Sequence, residues 1–197
     1  MESEYKGVTV VYPQTTAEWR LWLQEHHQSA KSVWVLMFKK ATGIPSITYN
    51  EALDEALCFG WIDSVSNKRD EQSFYQFFSK RNPKSNWSRV NKNKIEYLEQ
   101  QGKMTDQGRY IVELAKRTGT WTALDLVEDL VIPQEMKELL SQHPIAEQHY
   151  QNFPRSVKRG ILEWIYAAKT LETKLKRIQN TIELAEQNIR ANQYNPK

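Results

Sequence analysis

The alternation of apolar and polar positions predicts strands and helices in turn along the N-terminal third. The β-branched run 8–13 ends at a proline and predicts a strand, and the apolar run 32–40 predicts a second. Between them, Thr15 precedes Glu18 by three residues, the spacing of a capping box. This spacing predicts a helix that runs to about Ser29.

The same capping-box spacing recurs at Thr48 and Glu51 and predicts a second helix, which Gly60 ends. The buried stripe expected for this helix consists of Ala52, Leu53, Ala56 and Leu57. The runs 61–65 and 73–79, separated by a polar segment, predict an antiparallel hairpin. The N-terminal part therefore reads β-α-β-α-β-β. We expect an α+β fold, a small mixed sheet with helices on one face, followed by an all-helical C-terminal half.

The helical pattern begins at Ser88, which can cap a helix running to Gly102, and Thr105 can cap another that runs to Gly119. After Pro154, apolar residues recur at alternating three- and four-residue steps on one or two long helices. The positions of this stripe are Ile161, Ile165, Ala168, Leu171, Leu175, Ile178, Ile182, Ala185 and Ile189. The stripe could dock on the α+β part or pair with a second copy as a homodimer.

These patterns divide the chain into four parts. We expect an α+β domain with two trailing helices at 1–119, a connector at 120–132 and a helical region at 133–190. A frayed tail at 191–197 completes the chain.

Composition excludes several classes of protein. The net charge of +3 over 197 residues is too small to indicate nucleic-acid binding by itself. A single cysteine excludes an internal disulfide, and no apolar run reaches the roughly 18 residues of a membrane span. The first residues carry acids where a signal peptide carries bases. We therefore expect a cytoplasmic protein without membrane insertion.

No sequence motif predicts a catalytic, cofactor or metal site. Cys58 shares a helical face with acidic residues at the negative end of the helix dipole, which disfavours a thiolate and favours a structural thiol. The histidines lack metal-ligand spacing, and no glycine-rich phosphate loop occurs. We expect no cofactor and no metal, and the sequence predicts no catalytic residues.

The strongest candidate for function is a run of bases without acids at 80–94, at a predicted helix start. Unpaired N–H groups and the helix dipole favour an anion there. The candidate ligand-binding residues of this cluster are Arg81, Lys84, Ser85, Asn86, Trp87 and Ser88. Lys169 and Arg177 of the C-terminal helices are further candidates for closing the site. The alternative is that serines cap the helix, Trp87 anchors it and the bases are solvated.

Trp61 and Asp63 are candidate walls of this site. If Ile62 points into the core, Trp61 and Asp63 share the opposite face of the strand. Asp63 could then act as a general base or accept a hydrogen bond from a ligand. The alternative is a structural role, in which Asp63 holds Arg81 or a backbone amide.

Five segments together resemble a known family. They are YNEALDEALCFGWID at 49–63, RNPKSNWS at 81–88, GKMTDQG at 102–108, GTW at 119–121 and the segment 168–178. The chain resembles the YdeI/OmpD-associated family, whose name is linked to bacteriocin protection. Two positions depart from the family pattern: Lys80 stands where a proline is usual, and Lys174 stands where an arginine is usual.

The resemblance implies a bacterial cytoplasmic protein linked to envelope stress or to resistance against antimicrobial peptides. It supplies no reaction, so no catalytic residue is carried over. The sequence thus favours a protein that binds a small anionic ligand. Two alternatives stay open: an enzyme with Asp63 as general base on a small anionic substrate, and a weak nucleic-acid binder, which the absence of repeated aromatic platforms disfavours.

Overall fold

A computed structural model describes residues 3–192 of the chain. The chain divides into two compact units, Met1–Thr122 and Ala123–Lys197. The first holds a mixed sheet with helices, and the second is helical. The α+β class and the helical C-terminal half are therefore confirmed.

The first unit is built on a five-stranded sheet. Its strands are β1 (Glu4–Tyr5), β2 (Val8–Val11), β3 (Ser32–Phe38), β4 (Trp61–Lys68) and β5 (Ser73–Lys80). Their order is β1-β2-β3-β5-β4, with β2 and β3 parallel and the other neighbours antiparallel. The predicted order lacks β1, which forms because Lys6 and Gly7, with φ of 53° and 72°, make a tight turn into β2.

The helices of the first unit begin at the residues whose side chains cap them. They are α1 (Thr16–His26), α2 (Tyr49–Cys58), α3 (Arg89–Gln100) and α4 (Asp106–Thr118), with a short 3-10 helix at Lys40–Thr42. The predicted caps Thr15, Thr48, Ser88 and Thr105 each accept a first-turn N–H. Thr48 and Glu51 form the complete capping box. These helix starts were readable because a cap is a local interaction.

The core of the first unit lies on one face of the sheet. Val33, Val35 and Met37 of β3 face buried side chains from all four helices. The predicted stripe of α2, from Ala52 to Leu57, is buried here, as is Cys58. Because strand residues alternate between faces, Trp34 lies on the opposite face in a smaller aromatic cluster. The buried side chains of α1, α2, α3 and α4 therefore pack on the face of the sheet that carries Val33, Val35 and Met37.

The second unit consists of helices around its own core. They are α5 (Asp125–Glu128), α6 (Gln134–Gln142), α7 (Pro144–Asn152), α8 (Arg155–Tyr166) and α9 (Leu171–Glu186). The long apolar stripe is split between α8 and α9: Ile161 and Ile182 are buried, whereas Leu171 is 63% exposed. Of the predicted frayed tail, Ala191 is buried and residues 193–197 lie outside the described part. No helix within residues 3–192 combines the length and apolarity needed to cross a membrane.

Candidate functional site

The turn between α2 and β4 is shaped by Gly60. Its φ of 72° is a left-handed conformation that glycine adopts without strain. A Cβ at this position would also lie 2.7 Å from Cγ1 of Ile111 in α4. The carbonyl of Gly60 accepts a hydrogen bond of 3.0 Å from the backbone N–H of Arg81, which follows β5. This hydrogen bond therefore holds the end of β5 against the turn that leads into β4.

The start of α4 is fixed against the end of α2 by the carbonyl of Cys58. This oxygen accepts hydrogen bonds from the Thr105 N–H, at 3.2 Å, and from the Thr105 hydroxyl, at 2.6 Å. One turn later, a Cβ on Gly108 would lie only 2.2 Å from the same oxygen, so only glycine fits. Three chain segments, the Gly60 turn, the end of β5 and the first turns of α4, consequently meet at one place.

A cavity of about 470 Å³, which we call the Arg81 cavity, lies where these segments meet. Its size is in the range of small-molecule sites. The lining residues are His27, Gln28, Phe59, Gly60, Trp61, Lys80, Arg81, Pro83, Gln107 and Ile111. Among them, Lys80 and Arg81 carry positive charge and no residue carries negative charge.

Arg81 is a buried cation whose guanidinium is only partly hydrogen-bonded. Its side chain is 5% exposed and forms no ion pair within residues 3–192. The guanidinium lies over the Trp87 ring, with Cζ 3.7 Å from the ring centre, and Nη2 donates to the Asn86 carbonyl at 2.6 Å. Nε is enclosed without a partner. Nη1 makes no hydrogen bond to residues 3–192, so this atom can donate to a ligand.

Burial lowers the pKa of Arg81 to about 10, and the negative charge of Asp63 offsets part of that shift. The group is still protonated at neutral pH. A buried charge without a paired counter-charge is costly, and a bound anion would relieve that cost.

Of the predicted walls, Trp61 lines the Arg81 cavity and Trp87 lies behind Arg81. The expectation that Trp61 points away from the core is reversed, because Trp61 is 1% exposed and packs with the helices. Asp63 lies opposite Phe78 of the same core and accepts a hydrogen bond of 2.8 Å from the Tyr49 hydroxyl. Asp63 does not line the Arg81 cavity. The geometry therefore gives the general-base alternative no support.

The other polar residues of the RNPKSNWS cluster serve local structure. Lys84 is exposed, and its backbone N–H donates to the Asn82 side chain at 2.9 Å. The Ser85 hydroxyl donates to the Asn82 carbonyl at 2.7 Å, and Ser88 caps α3. None of these side chains lines the Arg81 cavity, and Asn86 contributes its carbonyl to Arg81.

Lys169 and Arg177 belong to the second unit. Lys169 is exposed between α8 and α9. Arg177 donates to the Trp164 carbonyl and lies over the Trp164 ring, 5.1 Å from its centre. A ligand-binding role for Lys169 and Arg177 therefore stays a prediction.

Sequence reasoning missed several residues that line the Arg81 cavity. His27 hydrogen-bonds through Nδ1 to the Leu23 carbonyl at 2.8 Å, and Lys80 donates to the Gln28 carbonyl at 2.6 Å. The sequence held a signal that could have identified Lys80, because this residue begins the run of bases without acids. The sequence held no such signal for Gln107, because α4 reaches the cavity only through tertiary packing.

A larger cavity of about 610 Å³ between α3 and α4 is a weaker candidate. Its cations are already neutralised: Arg109 pairs with Glu99 at 3.0 Å and Lys116 with Glu113 at 2.7 Å. Paired surface charges offer a ligand little net attraction. The Arg81 cavity is therefore the better site.

Comparison with protein families assigns both parts of the chain. Residues 11–111, just over half of the chain, match the family model described as domain of unknown function (DUF8412). Residues 129–188 match the model described as bacteriocin-protection, YdeI or OmpD-associated. The chain belongs to the DUF8412 family and carries a YdeI or OmpD-associated domain. The resemblance read from the sequence is thereby confirmed.

The motifs that carried the resemblance are divided between the two matched families. The segments 49–63 and 81–88 lie in the DUF8412 part, and 168–178 lies in the YdeI or OmpD-associated part. All residues that line the Arg81 cavity, from His27 to Ile111, lie in the DUF8412 part. No curated protein and no solved structure gives a significant match.

Proposed function

We propose that the DUF8412 part of this protein binds a small anionic ligand in the Arg81 cavity. The observation that carries the proposal is the buried guanidinium, 5% exposed, with an unpartnered Nε and no ion pair within the described residues. Folding around an unpaired buried charge costs on the order of several kcal/mol, and an anion binding beside it offsets that cost. Lys80, at the same cavity, adds a second positive charge.

Burial also makes such a contact stronger than a surface ion pair. Exposed pairs contribute about 0–1 kcal/mol, whereas charge-assisted hydrogen bonds in partly desolvated sites contribute more. The Trp87 ring and the Asn86 carbonyl fix the guanidinium plane before a ligand arrives. This preorganisation reduces the entropy lost on binding.

The proposal is tested by calorimetry and thermal shift with acetate, benzoate and inorganic phosphate as probes. We expect the wild-type protein to bind at least one of these anions and the variant Arg81→Met to bind none. Arg117→Met is the matched control, because Arg117 is exposed on α4 and lines no cavity described above. Equal binding by wild type and Arg81→Met, or binding of no anion by either, would overturn the proposal.

Nucleic acid is a poorer ligand for this surface. Trp87 is 2% exposed, so its ring cannot stack with a base. Affinity for a small anion should fall only slightly with salt, whereas nucleic-acid binding weakens steeply.

We further propose that this binding serves resistance to bacteriocins or envelope stress in the bacterial cytoplasm. The name of the family matched by residues 129–188 supports this setting. A host strain that lacks the protein should be more sensitive to a bacteriocin, and wild-type protein should restore resistance. If Arg81→Met restores it equally well, anion binding has no part in the protection.

A further inference from the structure

A second cavity of about 520 Å³, which we call the Tyr110 cavity, adjoins the Arg81 cavity. The Tyr110 cavity is lined by Gln24, His27, Gln28, Phe59, Thr105, Asp106, Gln107 and Tyr110. Four residues, His27, Gln28, Phe59 and Gln107, line both. The two cavities therefore adjoin at these residues, and together they form a groove with more room than a simple inorganic anion fills.

The groove differs in character from one end to the other. Arg81 and Lys80 make one end cationic. In the middle, the half-buried His27 ring packs at 5.2 Å between centres on Phe59, which is itself 3% exposed and backs the groove. At the far end, the ring of Tyr110 is 54% exposed. A ligand that fills the groove thus needs one anionic group and a flat apolar body.

The charges also limit the ligand to a single anionic group. Within residues 3–192, no lysine or arginine lines the far end of the groove, and Asp106 there pairs with Arg109 at 3.5 Å, so nothing at that end attracts a second negative charge. At the cationic end, Nη2 of Arg81 is bonded and Nε is enclosed, which leaves Nη1 as the donor without a partner in the described part of the chain. A carboxylate needs fewer donors than a phosphate dianion, which carries up to two charges and three acceptor oxygens.

Resting on the proposed function, we propose that the ligand is an aryl carboxylate. Its carboxylate binds Nη1 of Arg81 and the ammonium of Lys80. Its aromatic body lies over the half-buried His27 ring and reaches the Tyr110 ring. Offset or edge-to-face contacts between aromatic rings contribute beyond simple burial.

Calorimetry with 2-naphthoate, acetate, inorganic phosphate and 2-naphthalenemethanol tests this proposal. We expect 2-naphthoate to bind the wild-type protein at least about tenfold more tightly than acetate or phosphate, since a fused ring buries much apolar area. The neutral alcohol, which lacks the charge, should bind at least about tenfold more weakly than 2-naphthoate. Tyr110→Ala should lose the preference for 2-naphthoate over acetate and still bind acetate. Tyr97→Ala is the control, because Tyr97 is similarly exposed, at 57%, on α3 outside the groove.

The outcomes separate this inference from the proposed function. Acetate and 2-naphthoate binding with equal affinity, both through Arg81, would overturn the aryl carboxylate and leave anion binding intact. Tighter binding of phosphate than of 2-naphthoate would do the same, as would an unchanged preference in Tyr110→Ala. Binding of 2-naphthoate that is unaffected by Arg81→Met would overturn both proposals.

Discussion

The guanidinium of Arg81 lies 3.7 Å from the centre of the Trp87 ring, and the two residues stand six positions apart in the same loop. Trp87 is itself 2% exposed and packs against Trp121 at 5.0 Å between ring centres. The pair therefore holds a cation in the interior of the first unit, where burial lowers its pKa. A cation held by an aromatic face rather than by a carboxylate stays available to an external anion.

This arrangement predicts that Arg81 binds ligand at the expense of stability. Replacing Arg81 with Met keeps the bulk over Trp87 and removes the desolvation cost of the charge. We expect Arg81→Met to leave the free energy of unfolding within about 1 kcal/mol of wild type or to raise it. Arg81→Ala should lower it by about 1–3 kcal/mol, because it also leaves a void over the ring. Urea denaturation compares the variants, and a larger loss in Arg81→Met than in Arg81→Ala contradicts this account.

Gly108 is predicted to tolerate no side chain. A Cβ there would lie 2.2 Å from the Cys58 carbonyl oxygen, so α4 would have to move away from α2. We expect Gly108→Ala to lower the free energy of unfolding by at least about 2 kcal/mol, in spite of the higher helix propensity of alanine. Arg117→Ala, on the exposed side of the same helix, should change it by about 0.5 kcal/mol or less. Similar melting temperatures for the two variants would exclude the close contact.

Cys58 is predicted to be unreactive in the folded protein. Burial, followed by the negative charge of Glu55, raises the pKa of its thiol to about 11. An unfolded thiol has a pKa of about 8.5, so at that pH the folded protein holds roughly a hundredfold less thiolate. Iodoacetamide should therefore modify the native protein about a hundredfold more slowly than the denatured chain, as measured by mass spectrometry. Equal rates would show an accessible thiol, and Cys58→Ser gives the background.

The same shift predicts a dependence of stability on pH. The unfolded thiol ionises first, so the unfolded state loses its proton at a lower pH than the folded state. This group therefore lowers the free energy of unfolding as pH rises from about 8.5 towards 11. Cys58→Ala should show a shallower decline over that range in urea titrations, and an identical decline would assign the effect to other groups.

Replacement of Tyr150 in the second unit by phenylalanine is predicted to raise the free energy of unfolding. Its hydroxyl is buried without a hydrogen-bond partner in the described part of the chain, and burial raises its pKa. We expect Tyr150→Phe to stabilise this unit by about 1 kcal/mol. Tyr166→Phe is the contrasting variant, because the Tyr166 hydroxyl donates to the Val131 carbonyl at 3.0 Å, and it should destabilise by a similar amount. Amide hydrogen exchange at Ile161 and Ile165 measures both effects. A change in stability of the same sign in Tyr150→Phe and Tyr166→Phe would contradict them.

The sequence predicted those features that depend on neighbours within a few residues. Ser88 and Thr105 were recognisable as caps because a cap bonds to an amide three residues ahead. Arg81 was a sound candidate because it stands in a run of bases without acids. The direction of Trp61 was not predictable, because a strand pattern gives alternation without saying which face the helices cover.

The sequence by itself determined the helix starts, the buried stripe of α2, the α+β class and the identity of one cation, Arg81. Only the tertiary structure decided what surrounds that cation. The packing of Gly60 against Ile111 brings α4 to a turn some fifty residues earlier in the chain, and this contact makes the cavity. Local periodicity and capping arise from short-range hydrogen bonds and burial. The approach of distant segments depends on how whole surfaces fit together, and no local pattern encodes that fit.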